Sequence, residues 1–341
     1  MLEHGGRLQA AARHYGRAPA QWLDLSTGLN PAPWPIPPAL AAQALQACAR
    51  LPEDDDDLRA AARAYYGAEL LPVAGSQAAI QCLPTLRARS RVAVLTPGYA
   101  EPAHCWRRAG HVVEPLAAAA LPSANHDVVI VAQPNNPDGR RFERDALLRL
   151  HARLHARGGW LIVDEAFIDA TPQDSLVDAA STRDGLIVLR SFGKFFGLAG
   201  ARVGFVAAAP ALRAALADAL GPWPIAGPSR VIARAALRDR RWQRAARVQL
   251  HAQSQGLAAR LHAQIGAVTR GCALFQWWTT PQAAALHDAL AQHGVLTRLY
   301  RGDTAVPMPS LRIGLPPADA WPRFDSALAA ATQAVRSERA A

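Results

Sequence analysis

The chain has 341 residues, half of them hydrophobic and 19% charged, a globular balance that excludes intrinsic disorder. This length supports one large core and a smaller second one. The formal net charge is +10, yet the arginines are spread along the whole chain as singles and doublets such as Arg107-Arg108 and Arg240-Arg241. That spread points to general arginine usage and argues against a nucleic-acid surface.

In chain order, the opening residues 1–38 are rich in Gly and Pro and read as an extended arm preceding a domain. They contain no uninterrupted apolar stretch of the signal-peptide kind, and the Ala-rich segments further on are broken by Arg, Asp and Pro before reaching membrane-spanning length. A cytoplasmic protein with no membrane partner is expected. From residue 39 to 225, short β-branched runs alternate with helical stretches such as Ala78–Leu86 and Arg144–Arg157. Strands are predicted at Arg91–Leu95, His111–Pro115, Asp127–Ala132, Trp160–Val163, Leu186–Arg190 and Val203–Ala207. Such alternation predicts an α/β domain with a mainly parallel sheet covered on both faces. In sheets of this type, ligand sites gather at the strand C-termini. The Pro/Gly-rich stretch Gly221–Pro228 then leads into a smaller α+β domain over 226–341. It opens with a long helical region ending near Ile265, followed by strand-like runs Ala273–Trp278, Val295–Leu299 and Leu311–Leu315. Cys48, Cys82, Cys105 and Cys272 form no CxxC pair and no metal-like cluster with histidine, as expected of thiols in a reducing compartment.

One count stands out: Lys194 is the sole lysine among 37 basic residues. Arginine serves surface charge as well as lysine does, but its guanidinium cannot form an imine because it does not deprotonate near neutral pH. A primary amine in a suitable environment can. Lys194 lies in the glycine-rich run Ser191-Phe-Gly-Lys194-Phe-Phe-Gly-Leu-Ala-Gly-Ala-Arg202, directly after a predicted strand. Ser191 and Arg202 are placed to share one phosphate with it, although a turn serine and a surface arginine give the same spacing. Leu161-Ile-Val-Asp164 describes a buried strand ending in an acid. A buried aspartate requires a cationic partner, such as a protonated ring nitrogen, a metal or an arginine, or it becomes neutral. Asn136 lies in an Asn-Pro-Asp-Gly turn after another strand, a tetrapeptide equally at home on a plain surface. Ser76 and Gln77 follow Gly75 at a helix start, where a phosphate can bind and where an ordinary cap would look the same. Tyr99 follows the strand ending at Leu95 and offers a ring for stacking on a flat cofactor.

Together these motifs resemble the aspartate-aminotransferase-like pyridoxal-phosphate enzymes of fold type I, over roughly residues 4–330. The resemblance implies that Lys194 holds pyridoxal 5'-phosphate as a Schiff base. Asp164 would pair with the ring nitrogen, Asn136 with the ring hydroxyl oxygen, and Tyr99 would stack on the ring. Ser76, Gln77, Ser191 and Arg202 would hold the phosphate, and Arg312 in Leu311-Arg-Ile-Gly the substrate carboxylate. It also implies a homodimer.

Within that family the chain is most similar to the threonine-phosphate decarboxylases of cobalamin synthesis, with the histidinol-phosphate aminotransferases as the alternative. The arm reads Glu3-His4-Gly5-Gly6 and later Asn30-Pro31, which implies that His4, Gly5 and Asn30 line a phosphorylated amino acid. Phe167 stands where aminotransferases usually carry a tyrosine that bonds the ring oxygen. Leu51-Pro52-Glu53 lacks the tyrosine with which an aminotransferase's second subunit reaches the phosphate. Val295-Leu-Thr-Arg298 followed by Arg312 resembles the decarboxylase's arginine pair, with Arg298 as a second anion ligand. The expected reaction converts L-threonine O-3-phosphate to (R)-1-amino-2-propanol O-phosphate.

Overall fold

The computed structural model describes residues 2–340. Its centre is a seven-stranded sheet of β2 (Leu71–Val73), β3 (Arg91–Thr96), β4 (Val112–Ala117), β5 (Val128–Ala132), β6 (Trp160–Asp164), β7 (Leu186–Ser191) and β8 (Gly204–Ala207), β1 (Leu23–Asp24) lying elsewhere. The spatial order is β2-β8-β7-β6-β5-β3-β4; only β8 runs antiparallel to its neighbours. The middle strands read Val-Val-Ile-Val and Leu-Ile-Val because helices cover both faces and no position returns to water. Strand β2 was not predicted: Leu71-Pro72-Val73 has a proline in its centre. It pairs on one side only, as the edge strand of the sheet, where a missing N–H is tolerated.

The second sheet has four antiparallel strands in the order β12-β13-β10-β9, formed by β9 (Arg270–Cys272), β10 (Phe275–Thr279), β12 (Arg298–Tyr300) and β13 (Ser310–Gly314). Helices Arg240–Ile265 and Ala283–Gln292 pack on it, and Trp321–Ala340 packs against both helices. The predicted run Val295–Leu299 is two strands, since β11 (Val295–Leu296) leaves this sheet to pair with β1.

One expectation needs correction. The opening segment is not extended throughout: it contains helix Leu8–His14, and β1 pairs in parallel with β11 of the C-terminal part. The helical region expected to end near Ile265 does so as two helices divided at Asp239, whose carboxylate caps the second by accepting from the Trp242 amide at 2.9 Å. Helix Gly227–Arg238 packs on helices Pro38–Gln46 and Leu58–Tyr66. Arg230 ties it there by a bidentate pair to Asp56 (2.7 and 2.8 Å). One apolar cluster runs from Val129 and Val188 under the large sheet to Leu257, Leu311 and Phe324 of the C-terminal part, so the two parts share a core. Among the described residues no helix is long and apolar enough to cross a membrane, and the four cysteines are free thiols.

Candidate active site

The C-terminal ends of β3, β5, β6 and β7 open onto one cavity of about 660 Å³, closed on the far side by β12, β13 and the start of the chain. Each strand delivers its motif at this edge: Tyr99 after β3, Asn136 after β5, Asp164 as the last residue of β6, and Ser191 as the last of β7. Lys194 follows in a one-turn helix, Phe192–Phe195. The glycines here answer to packing: a Cβ on Gly193 would lie 2.7 Å from the Ala199 Cα.

Asn30 is placed differently from expectation. It is buried behind the lysine turn and does not line the cavity. Its amide donates from Nδ2 to the Phe195 carbonyl (2.9 Å), and its backbone N–H donates to the Lys194 carbonyl (3.0 Å). Thr27 and Gly28 reach the cavity in its stead. Asn30 therefore fixes the lysine's backbone.

At one end, Ser76, Gln77, Ser191 and Arg202 converge. Gly75 has φ +73°, and a Cβ there would lie 2.8 Å from an Arg202 guanidinium nitrogen. Arg202 is itself held in the left-handed region at φ 51°. Two hydroxyls, a guanidinium and a glycine-opened backbone form a donor set suited to a phosphate. At the floor, Asp164 is buried with one oxygen accepting from the Ala166 amide at 3.1 Å. Burial pushes its carboxyl up to about 6, against the Ala166 hydrogen bond and the Lys194 charge, with Glu165 adding slightly to the rise. Burial also brings the Lys194 amine down to about 8; the Arg312 and Arg202 charges add to this while Asp164 opposes it. An amine near 8 is available as a nucleophile at physiological pH. A buried carboxylate awaiting a cation, beside that amine and a phosphate cradle, matches the ring nitrogen, aldehyde and phosphate of pyridoxal phosphate.

Across the cavity, Asn136 Oδ1 accepts from Arg312 at 2.6 Å, and the other terminal nitrogen of Arg312 donates to the Ser26 carbonyl at 2.9 Å. Arg312 Nε is buried without a protein acceptor. Arg298 is directly paired with Arg312 across β12 and β13, so both guanidinium groups leave the same face of the sheet and line the cavity. Phe167 faces Lys194, with the amine 5.7 Å from its ring centroid. Gly28 is required there, since a Cβ would sit 2.9 Å from that ring. His4 and Gly5 of the arm form part of the rim, His4 6.0 Å from the Tyr99 ring.

Two features were missed in the sequence. Beneath the site, Arg190 is fully buried between Glu165 (2.8 Å) and Asp169. Glu165 also accepts from Ser175 (2.6 Å) and the Leu176 amide (2.7 Å), so the residues flanking Asp164 and Ser191 are locked together. In a chain with 37 basic residues, nothing marks Arg190 as different. The second is Glu101, which lines the cavity two residues after Tyr99.

With this geometry in hand, comparison with known proteins is specific. The sequence profile of the family described as Aminotransferase class I and II matches residues 20–320. A threonine-phosphate decarboxylase from Pseudomonas aeruginosa is 55% identical over 332 residues, 96% of this chain and 97% of the relative. Another, from Sinorhizobium sp., is 43% identical over 93% of this chain and 94% of its own. Among solved structures, the histidinol-phosphate aminotransferase from Sinorhizobium meliloti in complex with pyridoxal-5'-phosphate superposes with a TM-score of 0.82. It shares 20% identity, over 98% of this chain and 96% of that one. The chain belongs to the class I and II aminotransferase family and has its fold-type-I architecture.

Proposed function

We propose that the protein is a pyridoxal-phosphate-dependent carboxy-lyase, which converts L-threonine O-3-phosphate to (R)-1-amino-2-propanol O-phosphate in cobalamin synthesis. The observation that carries this reading is the register of β12 and β13, which sets Arg298 and Arg312 side by side at the cavity. Two like charges directly opposite destabilise a sheet, so the arrangement calls for a ligand with two anionic groups. A phosphorylated amino acid supplies them. The extensive identity to two threonine-phosphate decarboxylases supports the same substrate.

When bound, pyridoxal phosphate supplies an electron sink for the bond that breaks at the substrate Cα. The chain's own residues decide which bond that is. Asp164 would pair as a carboxylate with the protonated ring nitrogen at the cavity floor, and Asn136, which accepts from Arg312, would hold the ring oxygen. Arg312 takes the substrate carboxylate; Arg298 and His4 take the remote phosphate. Arg298 and His4, by holding the phosphate, would orient the rest of the substrate between Arg312 and Lys194, so that binding energy at a non-reacting group would direct the reaction toward loss of CO2. Lys194 Nζ then delivers a proton to Cα in place of the departed carboxyl. No amino acceptor takes part. Phe167 cannot donate to the ring oxygen as a tyrosine would, leaving Asn136 and Asp164 to set the ring's polarity. We further place the enzyme in the cytoplasm as a homodimer, in line with its fold family; sedimentation of the holoenzyme at twice the chain mass tests the latter.

The arginine roles are separable. Arg312→Ala should weaken every amino-acid substrate, whereas Arg298→Ala should raise KM for the phosphorylated one selectively, by roughly ten-fold or more for a lost charge-assisted hydrogen bond. Equal losses for L-threonine and its phosphate in both variants would contradict the assignment.

A further inference from the structure

A cavity that receives a substrate with two anionic groups is nevertheless lined by four carboxylates: Glu3, Glu101, Asp164 and Asp303. Three have evident tasks. Asp164 faces the ring-nitrogen position, and Asp303 accepts from the Ala305 and Val306 amides, both at 2.8 Å, to fold its own loop. Glu3 lies mainly in solvent, 3.9 Å from Arg298. Glu101 is different: its side chain is only 13% exposed, and left uncovered it would repel an arriving phosphate. The group that covers it is His4, whose Nε2 lies 2.7 Å from Glu101 Oε1.

We infer that Glu101 is the positioning residue of the substrate-phosphate end, holding His4 over the cavity and thereby seating the N-terminal arm across its mouth. This inference rests on the reading that the substrate is phosphorylated.

The arm is held from both sides. Arg298, on the second sheet, donates to the Glu3 carbonyl at 2.6 Å, and Glu101, at the start of helix Ala100–Arg108, holds the next residue. Behind them, the Gly6 amide donates to Ser26 Oγ at 2.7 Å, and a Cβ on Gly5 would run into the Ser26 carbonyl, so the backbone at 5–6 cannot shift far. Residues 3 and 4 therefore bridge the two sheets' sides of the cavity. Glu101 Oε2 in turn accepts from Gln77 Nε2 (2.8 Å), and Gln77 Oε1 accepts from the Tyr99 hydroxyl (3.3 Å). One carboxylate thus sets the seat of the arm and the direction of the Gln77 amide.

The test compares Glu101→Gln, which keeps size but removes the charge and leaves one accepting oxygen where the carboxylate had two, with His4→Gln and the double variant, all as holoenzymes. For CO2 release from L-threonine O-3-phosphate, Glu101→Gln should raise KM about ten-fold while kcat and the visible cofactor band stay close to wild type. The double variant should be no worse than the weaker single, since Glu101 acts through His4. A loss confined to kcat, a displaced visible band, or additive KM losses would overturn the inference and place Glu101's effect on the cofactor through Gln77 and Tyr99. Trypsin gives an independent reading: cleavage after the exposed Arg7 should be several-fold faster in Glu101→Gln than in wild type, and equal rates would overturn the arm-seating role. If wild type releases no CO2 from this substrate, the functional reading fails, while the trypsin comparison still decides the role of Glu101.

Discussion

At the scale of single residues, the site is built from groups placed where they are uncomfortable until a ligand arrives. Asp164 shows this most clearly. Its folded pKa of about 6 lies above the 3.8 of an exposed aspartate, so between those values the native chain binds more protons than the unfolded one. Stability of the cofactor-free protein therefore falls as pH rises through that window and stays lower above it, by up to ~3 kcal/mol. Asp164→Asn should accordingly raise the thermal midpoint of the cofactor-free protein at pH 7.5, yet weaken cofactor retention. A variant whose cofactor-free form is no more stable than wild type would show that Asp164 already has a partner within the protein. Lys194 gives a second measurement. With its amine near 8 rather than 10.5, reconstitution by pyridoxal phosphate should accelerate with pH around a midpoint near 8 as the neutral amine forms. A rate still climbing steeply above pH 10 would mean that the burial and neighbouring arginines do not act on it as described.

At the scale of elements, the strands carry the site because each delivers a polar residue to the same edge, as its last residue (Asp164, Ser191) or in the loop that follows (Tyr99, Asn136). Much of this was legible in the sequence: Leu161-Ile-Val-Asp164, and Leu186–Arg190 followed by the run that opens at Ser191, announce both the strand and its chemistry. The elements that escaped notice are the ones whose identity depends on distant partners. Leu71–Val73 is a strand only because β8 lies beside it, and β1 and β11 are two residues each, recognisable only by their pairing. Asn30 was read as a substrate ligand because a Gly/Pro-rich context gives no hint that a buried amide will be consumed by the lysine turn. Glu101 was overlooked because its importance comes from His4, nearly a hundred positions away. The phosphate cradle offers a test at this scale. Gly75→Ala would place a methyl group against the Arg202 guanidinium at a positive φ, so cofactor affinity should fall at least about ten-fold with the fold retained. Unchanged affinity would remove Arg202 and the Gly75 turn from the phosphate site.

At the scale of the whole molecule, the division of labour follows the two sheets. The large one presents the residues suited to the cofactor, while the small one presents Arg298 and Arg312 to the same cavity, where we propose that they meet the substrate's anionic ends, and both parts share a common core. The lone lysine marked the one side chain able to form an imine and the resemblance of its surrounding motifs implied the cofactor, whereas the choice between decarboxylation and amino transfer depends on how the phosphate is held, which no spacing in the sequence encodes. That choice is the central claim, and product analysis addresses it directly. Holoenzyme incubated with L-threonine O-3-phosphate, without any amino acceptor, should release CO2 in equal amount to 1-amino-2-propanol O-phosphate, with no accumulation of pyridoxamine phosphate. Turnover of imidazole-acetol phosphate with glutamate, the cofactor cycling through its amine form and no CO2 evolved from the threonine phosphate, would contradict the account and identify a histidinol-phosphate aminotransferase.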